Sequence, residues 1–277
     1  MLMNWIKTFG LMGILTGILL GIGYLLGGLD GAFIALIFSF ILNFISYWYS
    51  DKIVLAMYRA REISAADNPM LHQIVNELSD EAKIPKPKIY MINLPIPNAF
   101  ATGRNPKHSA IAVTRSLLES LEPKEIKGVL AHEISHIKHR DTLIQTIAAT
   151  FGGAITWLSY GFLFDRDREG FGALLMFILT PLAATLVRMA ISRSREYLAD
   201  ESGARITKDP LSLASALEKI SKISKAIPIN INPSTSHLFI VNPFSSRRLS
   251  SLFSTHPPVE ERIKKLKEMD KKMKITH

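Results

Sequence analysis

The pentapeptide His132-Glu133-Ile134-Ser135-His136 decides how the rest of this chain is interpreted. Its two histidines are four residues apart, so on a helix they lie on the same face. Neutral imidazoles at this spacing can bind one zinc ion, and the adjacent carboxylate can take a proton from metal-bound water. The pattern therefore predicts two metal ligands, His132 and His136, and a general base, Glu133.

The flanking residues predict that this segment is a packed helix. Pro123 stands where the first helical position is expected. Apolar residues follow at helical spacing: Ile126, Val129, Leu130, Ile134 and Ile137. His139 comes seven residues after His132, which is about 10 Å along a helix axis. Since zinc–nitrogen bonds are about 2 Å, His139 is interpreted as a surface or supporting residue.

Composition restricts the kind of metal site. The chain has 277 residues, a net charge of +9 and no cysteine. Disulfides and thiolate ligands are thereby excluded, so nitrogen and oxygen atoms must hold the metal. The mean hydropathy is +0.18, high for so basic a chain, because apolar and charged residues are segregated along the sequence.

Four apolar stretches are each close to the roughly 20 residues that cross a bilayer. They are Phe9 to Leu26, Ala32 to Tyr49, Thr142 to Phe164 and Phe171 to Ile191. The first two predict a retained hairpin rather than a signal peptide, because the second follows at once and a small-residue cleavage site is not evident. The alternative for the last two, a buried soluble helix pair, is disfavoured by their length and scarce interior charge.

Basic residues predict the orientation in the membrane. The predicted outer links are Gly27–Gly31, without Lys or Arg, and Phe164–Gly170, whose two arginines are offset by three acids. Most Lys and Arg fall within Asp51–Asp141 and after Ile191. The positive-inside rule places those segments and both termini in the cytoplasm. Because the charge follows topology and no recognition motif is present, nucleic-acid binding is not expected.

The fold class that follows is α+β and mainly helical. We expect an integral membrane protein with about four transmembrane helices and a cytoplasmic, zincin-like catalytic domain with a small β-sheet. The predicted segments are an N-terminal hairpin (1–50), the sheet and metal helix (51–141), a second hairpin (142–191) and the remainder of the catalytic domain (192–277).

Two segments predict strands, Lys88–Ile92 and Ser109–Thr114. Between them, Asn98-Ala99-Phe100-Ala101 suggests a further strand at a sheet edge, followed by a turn at Gly103–Pro106. An edge strand can pair with an extended substrate, so Asn98, Ala99 and Phe100 are candidate substrate-binding residues. The alternative is an ordinary hairpin edge.

Two carboxylates after the fourth apolar stretch can complete the site. Glu196 and Asp200 share a helix face at their spacing of four. Glu196 can supply a third ligand, and Asp200 can accept the outer N–H of a ligand histidine. The alternative is a solvated cluster that balances Arg193 and Arg195.

Together these motifs resemble the HtpX family of membrane-bound zinc metallopeptidases, which is related to the prenyl-protein endoproteases of eukaryotic membranes. The resemblance covers nearly the whole chain, from the paired N-terminal stretches through Asn98–Gly103 and the helix of His132 to Arg195–Asp200 and Ser254–Pro258. It implies one Zn²⁺ per chain with Glu196 as third ligand, and Glu133 as the general base. It also implies a multi-pass protein of the prokaryotic inner membrane that cleaves misfolded or damaged membrane proteins.

His256 precedes Pro257-Pro258 and a charged helix predicted over Val259–Lys272. The resemblance makes His256 a candidate for hydrogen bonding to a developing oxyanion. The alternative is a capping or packing role for this segment.

Both metal-binding segments adjoin predicted spans. If helix continues through each junction, the metal lies on the order of 10 Å beyond the bilayer core, which favours substrates at the membrane surface. Two other functions are compatible with a histidine-rich metal site in a membrane protein. A prenyl-protein processing protease is disfavoured by the number of spans, and a non-catalytic zinc-binding scaffold does not need Glu133.

Overall fold

The computed structural model describes residues 2–150, 193–227, 238–241 and 257–275. The elements described are α1 (Leu2–Met57), β1 (Arg61–Glu62), α2 (Pro69–Ala82), β2 (Lys88–Ile92), β3 (Ala99–Asn105), β4 (His108–Thr114), α3 (Arg115–Ser120), α4 (Pro123–His139), α5 (Arg193–Thr207), α6 (Pro210–Ala226) and α7 (Val259–Ile275). Residues 142–150 are also helical. The mainly helical fold with a small sheet is confirmed, whereas most of the predicted second hairpin lies outside the described residues.

Helix α1 is two helices joined at a break of two glycines. Gly28 has φ +59°, a left-handed conformation that glycine adopts without steric cost. A Cβ atom at Gly23 would lie 2.4 Å from the carbonyl oxygen of Gly31, so the two arms touch through their backbones. Helix resumes directly after Gly28, and the link is therefore shorter than the predicted Gly27–Gly31.

Both arms of α1 are long and apolar enough to cross a membrane, over Thr8–Leu25 and Gly27–Tyr49. Asn43 Nδ2 donates to Thr16 Oγ1 at 2.9 Å and joins the arms midway. The helical residues 142–150 pack on the first arm through Leu143, Ile144 and Ile147. The predicted hairpin is thus present, and the start of the third apolar stretch lies against it.

The sheet has four strands in the order β1-β2-β4-β3. Strands β2 and β4 are parallel, while β3 is antiparallel to β4 and forms the sheet edge, as predicted. The predicted turn at Gly103–Pro106 is wrong in position, because β3 continues to Asn105 across a bulge. The turn lies at Pro106–Lys107, where Asn105 Oδ1 accepts the N–H groups of Lys107 and His108.

Strand β4, inside the sheet, is buried on both faces. Ile89, Ile111 and Val113 belong to the core shared with α2 and α4. Ala110 and Ala112, which alternate with them along β4, pack instead with the end of α1. Alternation of this kind places every side chain of a strand in one of two cores. The sheet therefore holds the metal helix on one side and the end of the membrane hairpin on the other.

Helix α4 begins and ends where its backbone groups find other partners. Pro123 is its first residue, and the N–H of Glu122 donates to Glu125 in a reciprocal capping box. The helix ends at Arg140, whose φ of 59° is left-handed. Arg140 and Asp141 interrupt the helix before residues 142–150, so the condition that helix continues through this junction is not met.

Candidate metal centre

Helices α4 and α5 bring the three predicted ligands together. His132, His136 and Glu196 are buried, and one ligand atom from each lies within 4.8 Å of the others. The two Nε2 atoms are 3.2 Å apart. Glu196 Oε1 lies 3.4 Å from His136 Nε2, and Glu196 Oε2 lies 3.8 Å from His132 Nε2. Helices α4 and α5 cross closely enough for these side chains to converge. A Cβ at Gly203 of α5 would lie only 2.9 Å from the His132 amide nitrogen.

These distances fit a zinc ion. Two nitrogens on a tetrahedral zinc with bonds of about 2.05 Å are about 3.3 Å apart. The donor set of two imidazoles and one carboxylate is that of catalytic zinc sites that keep one position open. Both histidines direct Nε2 inward, because each Nδ1 faces a different carboxylate. The residues present therefore match the group that the sequence motif implies.

Asp200 lies beside the outer nitrogen of His132, and it is itself held by an arginine that the sequence analysis did not single out. His132 Nδ1 lies 2.9 Å from Asp200 Oδ1. Arg262 of α7 donates to both Asp200 oxygens, at 2.8 and 2.7 Å, and its side chain is fully buried. Burial raises the pKa of Asp200, but the charge and hydrogen bonds of Arg262 lower it more, so the net pKa is below its ordinary value. The carboxylate therefore stays ionised beside the ligand.

His136 has a support of its own, at a residue that the sequence reading did not single out. Its Nδ1 lies 3.3 Å from Asp141 Oδ2, and Asp141 Oδ1 lies 3.4 Å from Arg195 Nη1. Burial lowers the pKa of His136, but hydrogen bonds to Asp141 and Glu196 raise it more, to about 10. Without metal, this cluster of carboxylates therefore holds a proton on His136.

Glu133 projects toward the sheet edge. Its Oε2 accepts the backbone N–H of Ala101 in β3 at 2.8 Å. Burial raises the pKa of Glu133 above its ordinary value. A carboxylate with a raised pKa is better matched to taking up a proton near neutral pH. The hydrogen bond fixes Glu133 next to the ligands without using its second oxygen.

A cavity of about 20 Å³ separates the ligands from the sheet edge, which is room for about one water molecule. Its lining includes Phe100 and Gln145, as well as Leu238, Phe239 and Ile240 of the described segment Leu238–Val241. The side-chain amide of Asn98 clamps that segment, because Nδ2 donates to the carbonyl of Leu238 at 3.1 Å and Oδ1 accepts the N–H of Ile240 at 2.9 Å. Ile240 also accepts a bond from Arg262 at 2.8 Å.

The remaining predicted residues differ in their outcome. Phe100 lines the cavity, whereas Ala99 is buried at the start of β3. Asn98 faces the chain's own Leu238–Val241 segment. Among the described residues, His139 is not part of the converging group. His256 lies outside the described residues, so its role stays a prediction.

Comparison with known proteins gives concordant matches. The model of peptidase family M48 matches residues 65–270. The chain is 51% identical over 285 residues to a protein named Protease HtpX homolog from Persephonella marina, covering 98% of this chain and 99% of that one. The like-named protein of Aquifex aeolicus is 53% identical over 255 residues, covering 87% and 84%.

A further like-named protein, from Pyrococcus furiosus, is 51% identical over 282 residues and covers 98% of both chains. Among solved structures, Ste24p from S. mikatae matches with a TM-score of 0.52 and 19% identity, covering 96% of this chain and 67% of that one. This likeness concerns the fold alone.

Proposed function

The chain belongs to peptidase family M48 and is a metalloprotease, and we propose that it is a zinc-dependent endopeptidase of the cytoplasmic membrane. In this proposal His132, His136 and Glu196 hold one Zn²⁺, and Glu133 is the general base. Its substrates are misfolded or damaged membrane proteins, cleaved at the cytoplasmic face. The proposal includes about four spans, with both termini in the cytoplasm.

The observation that carries the proposal is the convergence of three ligand atoms within 4.8 Å beside a buried glutamate. A structural zinc site closes all four positions with protein ligands, whereas the group found among the described residues offers three. A scaffold that only binds metal has no need of a carboxylate poised at the open position. The arrangement therefore favours hydrolysis over binding alone.

The chain's own residues divide the reaction between them. A bound zinc supplies Lewis acidity that activates water and polarises the scissile carbonyl. Glu133 takes the proton from the attacking water on its free oxygen and delivers it to the leaving amine. Its other oxygen stays on the N–H of Ala101, which keeps the carboxylate oriented through both transfers. Asp200 keeps the imidazole of His132 turned with Nε2 inward.

The edge strand β3 links the site to the membrane hairpin. Arg104 near its end stacks on Trp48 at 4.5 Å and donates to the Trp48 carbonyl at 3.2 Å. Trp48 belongs to the last turn of the second apolar window. Ala101 lies three residues before Arg104 along β3, which is about 10 Å at strand rise. Glu133 therefore lies near the end of that window, and this supports substrates at the membrane surface.

The peptide is proposed to bind along β3, at Ala99 and Phe100. The backbone of β3 offers strand pairing, which tolerates many sequences, while Phe100 lines the cavity beside the metal ligands. One backbone group of β3 is already hydrogen-bonded within the chain, because Thr142 Oγ1 donates to the Gly103 carbonyl at 2.9 Å. Asn98 contributes indirectly, through its clamp on Leu238–Val241.

The test is metal analysis combined with cleavage of an unfolded protein by the purified full-length chain in detergent. Glu133→Gln should keep zinc and lose cleavage by at least about 10³-fold, as expected when a general base is removed. Glu201→Gln, an exposed position of α5, is the matched control and should behave like the native chain. Continued cleavage by Glu133→Gln would exclude Glu133 as the base.

A further inference from the structure

The two ligand histidines are held by parallel arrangements at unequal distances. His132 faces Asp200, which Arg262 grips with two bonds of 2.7 and 2.8 Å. His136 faces Asp141 at 3.3 Å, and Arg195 lies 3.4 Å from the other Asp141 oxygen. The Asp141 side chain is 2% exposed and that of Arg195 is 12% exposed. A buried carboxylate with an arginine behind it thus supports each ligand.

The second pair occupies a special place along the chain. Asp141 lies in the two-residue interruption between α4 and the helical residues 142–150, and its carbonyl accepts the N–H of Gln145. Arg195 lies in the first turn of α5, directly before the ligand Glu196. The pair therefore joins the two points at which the chain leaves and re-enters the catalytic domain around the predicted second hairpin.

We propose that Asp141 and Arg195 form a positioning pair for the metal ligand His136. Asp141 accepts the Nδ1–H of the imidazole, which leaves Nε2 free for the metal, and Arg195 holds the Asp141 side chain in place. Because Arg195 is on the helix of Glu196, the same pair fixes the distance between the second and third ligands. This inference rests on the proposed metal site and adds two residues to it.

Loss of either residue should weaken metal binding, and the loss of Asp141 should weaken it more than the loss of Arg195. Carboxylate partners of ligand histidines typically change metal affinity by about 10–100-fold. Asp141→Asn keeps the shape but loses the charge, so zinc affinity should fall by about that factor. Arg195 is one contact further from the metal than Asp141, so Arg195→Gln should lower zinc affinity by about tenfold or less. Arg195→Lys should restore most of that loss.

The experiment uses the full-length chain in detergent and zinc alone as the probe. Zinc affinity is measured by competition with a chelator, and thermal unfolding of the zinc-free protein reports folding. Arg205→Gln is the matched control, because it breaks the exposed Glu201–Arg205 pair on the same helix. Its zinc affinity should stay within about twofold of native, as expected for an exposed pair. The double variant Asp141→Asn/Arg195→Gln should be no weaker than Asp141→Asn if the two residues act as one unit.

Two results would overturn the positioning role. One is native zinc affinity in a folded Asp141→Asn chain, and the other is a loss in Arg195→Gln that Arg195→Lys does not restore. Should Asp141→Asn fail to fold, the two Arg195 variants decide alone. His136→Ala separates this inference from the proposed function. If His136→Ala also binds zinc normally, the metal site itself is wrong; if it loses zinc while Asp141→Asn does not, only the positioning pair is wrong.

Discussion

The metal-holding half of the site and its peptide-facing half are built from different interactions. On α4, α5 and α7, buried charges oppose one another, with Arg262 between Asp200 and the Ile240 carbonyl. On the side of β3, backbone groups, one amide and apolar side chains make the contacts. Buried charges are costly to leave unpaired, whereas apolar and backbone contacts adjust at lower cost. The metal half should therefore respond sharply to single changes, and the peptide half gently.

The largest effect is expected from Arg262→Met, which removes a buried guanidinium but keeps an apolar stem. Asp200 would then be buried without its partner, beside Glu196. Breaking a buried pair in this way costs about 3–5 kcal/mol. Denaturant unfolding of the zinc-bound protein should show that loss, together with weaker zinc binding.

Arg205→Gln provides the contrast, since its exposed ion pair contributes at most about 1 kcal/mol. Equal stability of Arg262→Met and the native chain would contradict the idea that charge pairing dominates the metal half.

A smaller loss is expected from Gly203→Ala, which tests the helix crossing rather than the charges. The added Cβ would lie 2.9 Å from the His132 amide nitrogen and 3.0 Å from the Ala131 carbonyl carbon. Helix α5 must shift away from α4, at a cost of about 1–3 kcal/mol, and Glu196 moves with it.

Zinc affinity and unfolding should both decline, measured against Ser202→Ala at the neighbouring position. A Gly203→Ala chain with native zinc affinity would show that the ligand spacing tolerates a wider crossing.

The parts of the site also differ in how far they could be predicted from the sequence. The metal helix was predictable because His132 and His136 are close along the chain and their spacing matches the helical period. The spacing of Glu196 and Asp200, one turn apart, made them candidates but left a solvated cluster open, and the resemblance to the HtpX family implied that Glu196 is the third ligand. Pro123 and the capping glutamates fixed the start of the helix locally.

The rest depends on contacts between residues far apart in sequence. Arg262 is one of many charges on an amphipathic helix, and its burial depends on how α7 packs. Asp141 follows a left-handed residue, Arg140, that no local pattern announces. The clamp of Asn98 on Leu238 spans 140 positions and could not be derived from either segment alone.

On the peptide-facing half, Asn98→Ala should have a moderate effect confined to substrate. It removes a bond to Leu238 and another to Ile240, and unmatched buried groups cost about 1–3 kcal/mol each at most. We expect a raised KM of up to about tenfold for an unfolded protein substrate, which corresponds to about 1.4 kcal/mol. Zinc affinity should not change.

Asn98→Asp should raise KM at least as much as Asn98→Ala, because it keeps the acceptor for Ile240 but places a buried carboxylate against the Leu238 carbonyl. A change in zinc affinity in either variant would break the separation between the two halves.

The smallest expected effect is the change in zinc affinity for each unit of pH, which should be confined to the metal half of the site. The pKa of His136 in the metal-free protein is raised from 6.5 to about 10, and zinc binds only the neutral imidazole. Between pH 7 and 9 one proton must leave His136 for each zinc bound, so affinity should rise about tenfold per pH unit, or about 1.4 kcal/mol. The groups that raise the pKa of His136 are the carboxylates of Asp141, Glu196 and Glu133, and His132 also faces it, with the two Nε2 atoms 3.2 Å apart.

Stability of the zinc-free protein should move in the opposite direction. A raised histidine pKa contributes stability that is complete below pH 6.5 and is lost as the pH rises through about 10. Zinc titrations and denaturant unfolding at pH 7, 8 and 9 measure both trends in one series. His108→Asn, at an exposed position of the β3–β4 turn, should leave both slopes unchanged. Zinc affinity that is flat over this range would mean that His136 is already neutral, and that Asp141 and Glu196 do not hold a proton there.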